Sequence, residues 1–177
     1  MRRAGRLLTS AGRLDESLLR RAVSWGRRGG VMEWMRLASR LGDGPAWYAA
    51  GAIALVAGGP EGRRMAFEGL AAAALDALVY RGCKARFVRL RPFMALPDLP
   101  ILWSPPHDFS FPSGHAMHAF AWATLIALHF PGFALPAIAF AACIALSRVV
   151  LAVHYPSDAL AGAAIGSAIA LLTASAL

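Results

Sequence analysis

Five apolar runs, most of them close to the length that crosses a bilayer, constrain this chain more than any other feature. They cover residues 46–59, 65–83, 116–130, 133–152 and 159–177. A helix of about 20 apolar residues spans the hydrocarbon core of a membrane. Only 16% of the residues are charged, which excludes an ordinary soluble domain. We therefore predict an all-α, polytopic membrane bundle of about five to six transmembrane helices.

The first 41 residues carry most of the positive charge. Ten of the 18 basic residues are arginines within the first 40 positions. Residues 14–25 and 31–41 place apolar side chains on one helical face, which is typical of amphipathic helices at a membrane surface. Arginines also suit nucleic acid, but a membrane domain follows directly, so we predict no nucleic-acid partner. The predicted division is an interfacial segment, 1–41, and a membrane domain, 42–177.

Two polar stretches are predicted to meet on the same side of the membrane. Residues 84–114 contain six prolines and join the second apolar segment to the third, and residues 154–158 join the fourth to the fifth. Two crossings separate these loops, so they share a side. If segment 46–59 spans, the loops face the side of the arginine-rich start, which the positive-inside rule places in the cytoplasm. If it only dips into the bilayer, or if the amphipathic region crosses the membrane, the loops face outside. Both alternatives stay open.

A basic cluster begins the first polar stretch. Four cations fall within eight positions, namely Lys84, Arg86, Arg89 and Arg91. Lys84 and Arg91 are seven residues apart, so a continuous helix would place them on one face. Such a cluster suits phosphate, which accepts forked hydrogen bonds from guanidinium groups. A basic anchor beside the membrane is the alternative reading.

The sequence Pro112-Ser113-Gly114-His115 precedes the third apolar segment. Ser113 can cap that helix, and Gly114 allows backbone amides to approach a ligand closely. The amino end of a helix is a ready anion site, so His115 would stand beside a bound anion. A capping serine and a surface histidine are the plainer reading.

The third group runs from Ser147 and Arg148 to His154 and Asp158. Arg148 ends an apolar helix that would not tolerate a charge without a partner. Asp158, four residues after His154, is placed to accept a hydrogen bond from one imidazole nitrogen and so aim the other. Together the three groups predict a site for phosphoryl transfer, which needs mainly positioning and charge stabilisation.

No metal or other cofactor is expected at this site. The sequence has no carboxylate cluster suited to magnesium, and Cys83 and Cys143 offer neither a disulfide framework nor metal-ligand spacing. Lys84, Arg91 and Arg148 would supply the positive charge instead. We therefore predict a metal-independent reaction.

At these residues the chain resembles the type 2 phosphatidic acid phosphatase (PAP2) superfamily. The three signature motifs read Lys84 to Pro92, Pro112 to His115 and Ser147 to Asp158, in the expected order. The resemblance covers about residues 42–177. It implies a membrane lipid phosphatase that acts through a phosphohistidine on a lipid phosphomonoester or diphosphate. Phosphatidate, phosphatidylglycerophosphate, lipid A phosphates and polyprenyl diphosphates such as undecaprenyl diphosphate are the substrates it suggests.

The resemblance also implies a role for each motif residue. His154 would attack phosphorus, Asp158 would orient it, and His115 would protonate the leaving oxygen. The phosphate would be bound by Lys84, Arg91, Ser113, Gly114 and Arg148. A catalytically silent, lipid-binding scaffold of the same fold is the alternative function, and a soluble acid phosphatase or haloperoxidase is disfavoured by the apolar segments. Richness in alanine and arginine indicates a bacterial source, and hence the cytoplasmic (inner) membrane.

Five further residues are given supporting roles. Glu68 and Asp76 lie within an apolar segment, where we expect structural pairing, for instance with Arg81. Trp122 and Trp103 are predicted to lie in the aromatic belt at the membrane interface. His107 is expected at the rim of the pocket.

Overall fold

A computed structural model describes residues 2–102 and 108–176, with side chains from residue 12 onward. His107 and Trp103 lie outside the described residues. The described part folds into helices, with one 3-10 turn at Pro131–Phe133 and irregular segments at 87–91, 96–102 and 108–113. The α-helices are α1 (Arg2–Gly26), α2 (Val31–Leu41), α3 (Pro45–Ala57), α4 (Gly59–Arg86), α5 (Pro92–Ala95), α6 (Gly114–His129), α7 (Ala134–Val150) and α8 (Pro156–Ala176).

The local sequence explains where several helices begin and end. Prolines occupy the first turn of α3, α4 and α5, where the missing N–H costs nothing. Gly44 joins α2 to α3 with φ of 120°, a conformation that L side chains rarely adopt. The predicted helix over residues 31–41 is confirmed, since glycines 30 and 42 flank it.

The apolar helices correspond to the five predicted segments. Within the described residues, two stretches are long and apolar enough to cross a membrane, Pro131–Val150 and Pro156–Ala176. Pro45–Ala57 is apolar but shorter. The all-helical fold is confirmed, whereas the number of crossing helices stays a prediction.

Helix α6 lies at the centre and packs closely on α8. A Cβ atom at Gly166 would lie 2.0 Å from the carbonyl oxygen of Met117, and one at Gly162 would lie 2.4 Å from that of Ser113. Neither space admits a methyl group, so the two backbones touch. The two glycines therefore form a small-residue face on which the helices pack closely.

Trp122 fills the space between α6 and the α3–α4 pair. Its side chain is 5% exposed. A Cβ at Gly51 of α3 would come within 2.7 Å of the indole, and one at Gly69 of α4 within 2.5 Å. The prediction of an interfacial Trp122 is wrong, because the two glycines leave a slot in which the ring is buried.

The amphipathic helices pack against the end of the bundle that carries the third motif. Leu19 and Val23 of α1 are buried in a cluster that includes Val149. On the same helix Leu14 and Leu18 remain 61% and 42% exposed. Only part of the apolar face is therefore used inside the protein.

Buried polar residues of α4 pair at both ends of the bundle. Glu68, fully buried, accepts from Nε of Arg64 at 2.9 Å and lies 2.7 Å from Nε2 of His129 on α6. Asp76 lies 3.8 Å from Nδ1 of His118. The structural role predicted for Glu68 fits these contacts, but its partners are not Arg81, whose side chain is exposed.

Candidate active site

The first motif leaves the helix before it reaches its arginine. Helix α4 ends at Arg86, and residue 87 is already extended, with φ of −112° and ψ of 101°. Arg91 is extended too, since the following Pro92 disfavours a helical conformation at its neighbour. The prediction of one helical face for Lys84 and Arg91 is therefore wrong.

Both cations of the motif nevertheless turn toward the same end of the bundle. The segment 87–91 pairs with residues 108–110 through an isolated antiparallel bridge between Leu90 and Phe109. Nζ of Lys84 donates to the carbonyl of Phe109 at 2.6 Å. Arg91, only 3% exposed, donates to the carbonyl of Val153 at 2.9 Å.

The second motif sits at the amino end of α6. Ser113 is the N-cap, and its hydroxyl accepts from the amide of Ala116. Its own amide donates to the carbonyl of Asp158 at 3.0 Å, which joins the second motif to the third. Gly114 faces the ring of Tyr80, where a Cβ would come within 3.0 Å. The predicted cap is confirmed.

His154 lies between α7 and α8 and is 3% exposed. Its Nε2 is 3.1 Å from Nη1 of Arg91. A guanidinium can only donate, so Nε2 accepts and the ring proton is assigned to Nδ1. Burial, the largest effect, lowers the pKa of the His154 imidazole to about 3, so the ring is neutral. Its Nε2 lone pair is then directed at the Arg91 side of the site.

The other ring nitrogen of His154, Nδ1, points toward Asp158. Nδ1 lies 3.8 Å from Oδ2, too far for a direct hydrogen bond, and has no hydrogen-bond partner among the described residues. Oδ2 instead accepts from the amide of Tyr155 at 2.8 Å, and Oδ1 accepts from Arg89 at 2.8 Å. The two side chains are therefore adjacent, but the predicted hydrogen bond between them is not formed in this structure. Such bonds often tighten only when a substrate is bound.

Arg148 lies at the end of α7 and is 2% exposed. Its Nη1 donates to the hydroxyl of Ser39 on α2. The partner that the sequence demanded for this buried charge is thus a residue of the arginine-rich segment.

His115 faces the turn between α2 and α3. Its Nε2 lies 2.5 Å from Oδ1 of Asp43. Burial raises the pKa of the Asp43 carboxyl, and the charge of Arg148 opposes that shift. Both residues line a small open pocket of about 220 Å³, together with Tyr48 and His118. This pocket gives a small molecule access to His115.

The family comparison agrees with the three motifs. Residues 66–177 match the PAP2 superfamily. This chain belongs to the PAP2 superfamily. No protein with a curated description matches the sequence closely. PAP2 phosphatases act without a metal cofactor, and the chain is a phosphatase of this class.

Two solved structures show the same fold as this PAP2 protein. LpxE from Aquifex aeolicus superposes with a TM-score of 0.79 at 23% identity, over 92% of this chain and 95% of that chain. A transmembrane PAP2-type phosphatidylglycerolphosphate phosphatase from Bacillus subtilis gives a TM-score of 0.69 at 25% identity. The alignment covers 94% of this chain and 85% of the Bacillus chain. The membrane character of the helices agrees with these relatives.

Three residues that contact the PAP2 motifs were not predicted from the sequence. Asp15 contacts Arg89 and Ser157, Ser39 contacts Arg148, and Asp43 contacts His115. Arg89 was predicted only as a member of the basic cluster, and it contacts Asp158. Only the acidic or polar character of Asp15 and Ser39 on an otherwise basic, amphipathic segment could have drawn attention to them.

An apolar groove runs along the side of the PAP2 fold. It has a volume of about 520 Å³ and lies between α3, α4, α6 and α7. It begins at Ala46 in the first turn of α3, just after the turn that carries Asp43, and reaches Gly58. A helix rises 1.5 Å per residue, so this length is about 18 Å, comparable with the thickness of one leaflet.

Proposed function

We propose that this protein hydrolyses a phosphate ester or anhydride of a membrane lipid through a phosphohistidine on His154. The observation that carries the proposal is the placement of His154. Its neutral Nε2 meets Arg91 at 3.1 Å while Nδ1 faces Asp158 at 3.8 Å. A lone pair held beside a fixed guanidinium, with a carboxylate behind the ring, is suited to attack on phosphorus.

In the first step Nε2 of His154 forms a bond to phosphorus as the bond to the leaving oxygen breaks. His115, protonated in the complex because the negative charge of the bound phosphate lies beside it, gives its proton to that oxygen. The lipid product then leaves as a neutral hydroxyl or a protonated phosphate. Asp158 stabilises the positive charge that develops on the His154 ring. Arg91, Arg148 and Lys84 hold the non-bridging phosphate oxygens, as phosphoryl transfer requires.

In the second step water attacks the phosphohistidine. His115, now neutral, takes the proton of the attacking water, and the bond between phosphorus and Nε2 breaks. Inorganic phosphate is released and His154 returns to its neutral form. Gly114 and the amino end of α6 contribute N–H groups to the same anion throughout, and Ser113 contributes its hydroxyl.

The apolar groove supports a lipid as the substrate. It starts beside the turn that carries Asp43, next to the pocket of His115, and its lining is aromatic and aliphatic. A phosphate in the site would therefore leave its hydrocarbon chain alongside α3, within the bilayer. The lipid enters sideways between helices, from a leaflet of the cytoplasmic membrane.

The arginine-rich segment, 1–41, is proposed to lie on the membrane surface around the site. Exposed Trp25 and Trp34, which are 40% and 69% exposed, would sit among the lipid headgroups. The arginines between them would attract anionic lipid to the site. The membrane domain, 42–177, holds the catalytic residues.

The experiment is a phosphate-release assay on the purified, detergent-solubilised protein in EDTA. The substrates are undecaprenyl diphosphate, phosphatidylglycerophosphate, phosphatidate and a soluble phosphomonoester. We expect release from one lipid class, undiminished by EDTA and abolished in His154→Ala. Phosphatidylglycerophosphate is the first to try, because one of the two similar solved structures is a phosphatidylglycerolphosphate phosphatase.

Two other results would contradict different parts of this proposal. Release that persists in His154→Ala would overturn the phosphohistidine. Absence of release from every lipid, with lipid binding retained, would favour the silent scaffold.

A further inference from the structure

Asp15 of α1 reaches into the third motif from outside the region that matches the PAP2 family. It is 7% exposed. Oδ1 accepts from the amide of Ser157 at 2.9 Å, and Oδ2 accepts from the hydroxyl of the same residue. Oδ2 also accepts from Nη2 of Arg89 at 2.6 Å. One carboxylate thus holds the loop that carries His154 and the segment that follows Lys84.

Arg89 extends this contact to the catalytic carboxylate. Its Nη1 donates to Oδ1 of Asp158 at 2.8 Å and to the hydroxyl of Ser157 at 2.7 Å. Its guanidinium lies 3.9 Å from the centre of the Tyr155 ring. Hydrogen bonds to Asp15 and Asp158 raise the pKa of Arg89 against the opposing effect of burial. The guanidinium is therefore a fixed cation shared by two carboxylates.

The division of the Arg89 guanidinium between Asp15 and Asp158 determines the orientation of the Asp158 carboxylate. With Asp15 in place, one nitrogen of Arg89 is committed to each carboxylate, and Asp158 keeps Oδ2 on the His154 side. Without Asp15, the whole fork of Arg89 is available to Asp158, since guanidinium binds a carboxylate best through two parallel bonds. Asp158 would then turn both oxygens toward Arg89 and away from Nδ1 of His154, which is already 3.8 Å distant.

We propose that Asp15 is a positioning residue for the reaction, acting through Arg89 on Asp158 and so on the aim of His154. The inference rests on the proposed phosphohistidine mechanism. It makes α1 part of the working site, although the family match begins only at residue 66. The competing explanation is that Asp15 merely ties α1 to the bundle.

The chain offers a matched control for that explanation. Arg20 of α1 forms an ion pair with Asp98, and the two side chains are 40% and 62% exposed. This pair also ties α1 to the rest of the protein but contacts no motif residue. Asp98→Asn therefore removes a tether of α1 without touching the site.

The test compares kcat, KM and thermal midpoint in detergent for the full chain and four variants. These are Asp15→Asn, Arg89→Gln, their double variant and Asp98→Asn, assayed with whichever lipid the wild type hydrolyses. We expect Asp15→Asn to lower kcat about tenfold or more, as loss of an outer partner of a catalytic group does. KM should match that of Asp98→Asn, whose kcat equals that of the wild type, and the loss of kcat should persist at temperatures well below the thermal midpoint of every variant. The double variant should be no slower than Arg89→Gln alone, because both act along one path.

Three results would overturn the inference. One is an unchanged kcat in Asp15→Asn. Another is a loss of kcat that Asp98→Asn reproduces, or that follows the fall in thermal midpoint across the variants. The third is a double variant whose loss of kcat equals the product of the two single losses. His154→Ala in the same assay separates the two proposals. If it stays active, the phosphohistidine and the inference fall together, whereas if it is inactive and Asp15→Asn is not, only the role of Asp15 falls.

Discussion

At the scale of single residues, His154 combines burial with three charged neighbours. Arg91 lies at Nε2, Asp158 at Nδ1, and Arg148 adds to the surrounding positive charge. Burial and the two arginines oppose protonation more strongly than Asp158 favours it, which is why the pKa of the imidazole falls to about 3. The proposed nucleophile is thus kept neutral by its surroundings at any pH above about 3.

This neutrality has a consequence for stability. In the unfolded chain a histidine takes up a proton near pH 6.5, whereas folded His154 resists it down to about pH 3. The unfolded state therefore binds more protons in this window, and stability falls as the pH drops from 6.5 toward 3. We expect the thermal midpoint of the wild type to fall more steeply over this range than that of His154→Gln. Parallel curves for the two proteins would contradict the prediction.

A second residue-scale prediction concerns the buried charge of Arg148. Ser39→Ala removes the hydroxyl that accepts from its guanidinium. Hydrogen bonds to charged groups contribute about 1.5–3 kcal/mol, so the free energy of unfolding should fall by that order. The control is Ser175→Ala, whose hydroxyl only bonds the carbonyl of Leu172 in its own helix. Equal losses in the two variants would show that the Ser39 contact adds nothing.

The motif residues were predicted from the sequence, but the residues that hydrogen-bond to them were not. Local chemistry marks Ser113 as a cap and Arg148 as a charge in need of a partner. Asp15 meets Ser157 across 142 positions and Ser39 meets Arg148 across 109, so no spacing rule connects them. Such contacts depend on how α1 and α2 pack, which hydrophobic periodicity does not specify.

At the scale of helices, the backbone contact of α6 with α8 positions both Ser113 and Asp158. Gly166→Ala should separate these helices, since its methyl group would lie 2.0 Å from a carbonyl oxygen. We expect a loss of about 1–3 kcal/mol or more in unfolding free energy. Gly82→Ala on α4 is the matched control, because open space surrounds that position and alanine favours a helix by up to about 1 kcal/mol. If the two variants had equal free energies of unfolding, the close contact of α6 with α8 would be disproved.

Helix positions were predictable where apolar length or flanking glycine defines them, as for α2 and α8. The failure at Arg91 came from extending helical spacing to a residue that precedes proline. The short bridge between residues 90 and 109 holds that segment instead. This bridge places Arg91 beside His154. It joins residues far apart in sequence, so helical spacing could not have predicted it.

At the scale of the whole molecule, the bundle has a site end and an opposite end. The turn at residues 27–30 adjoins the site end, because Gly26, just before it, packs against Val150 at the end of α7. The turn at Gly132 lies between α6 and α7, one helix away from the motifs. If α6 and α7 cross the membrane, these turns lie on opposite sides.

Labelling with an impermeant thiol reagent tests this arrangement. Gly29→Cys and Gly132→Cys both occupy open space, and Cys83 and Cys143 would first be replaced by alanine. In sealed vesicles each cysteine should react from one side only, and the two sides should differ. Reaction of both from the same side would contradict a bundle that spans the membrane. The side on which position 29 reacts identifies the face of the active site, which the sequence left open.

The slot around Trp122 has a further meaning for relatives of this chain. The indole occupies volume that Gly51 and Gly69 leave vacant on two different helices. A side chain at position 51 or 69 cannot coexist with a tryptophan at position 122. Substitutions at these three positions should therefore be correlated in evolution. Homologues with alanine or a larger residue at position 51 or 69 should carry a smaller residue in place of the tryptophan. An alignment of such homologues would then show the three columns varying together, although they are far apart in sequence.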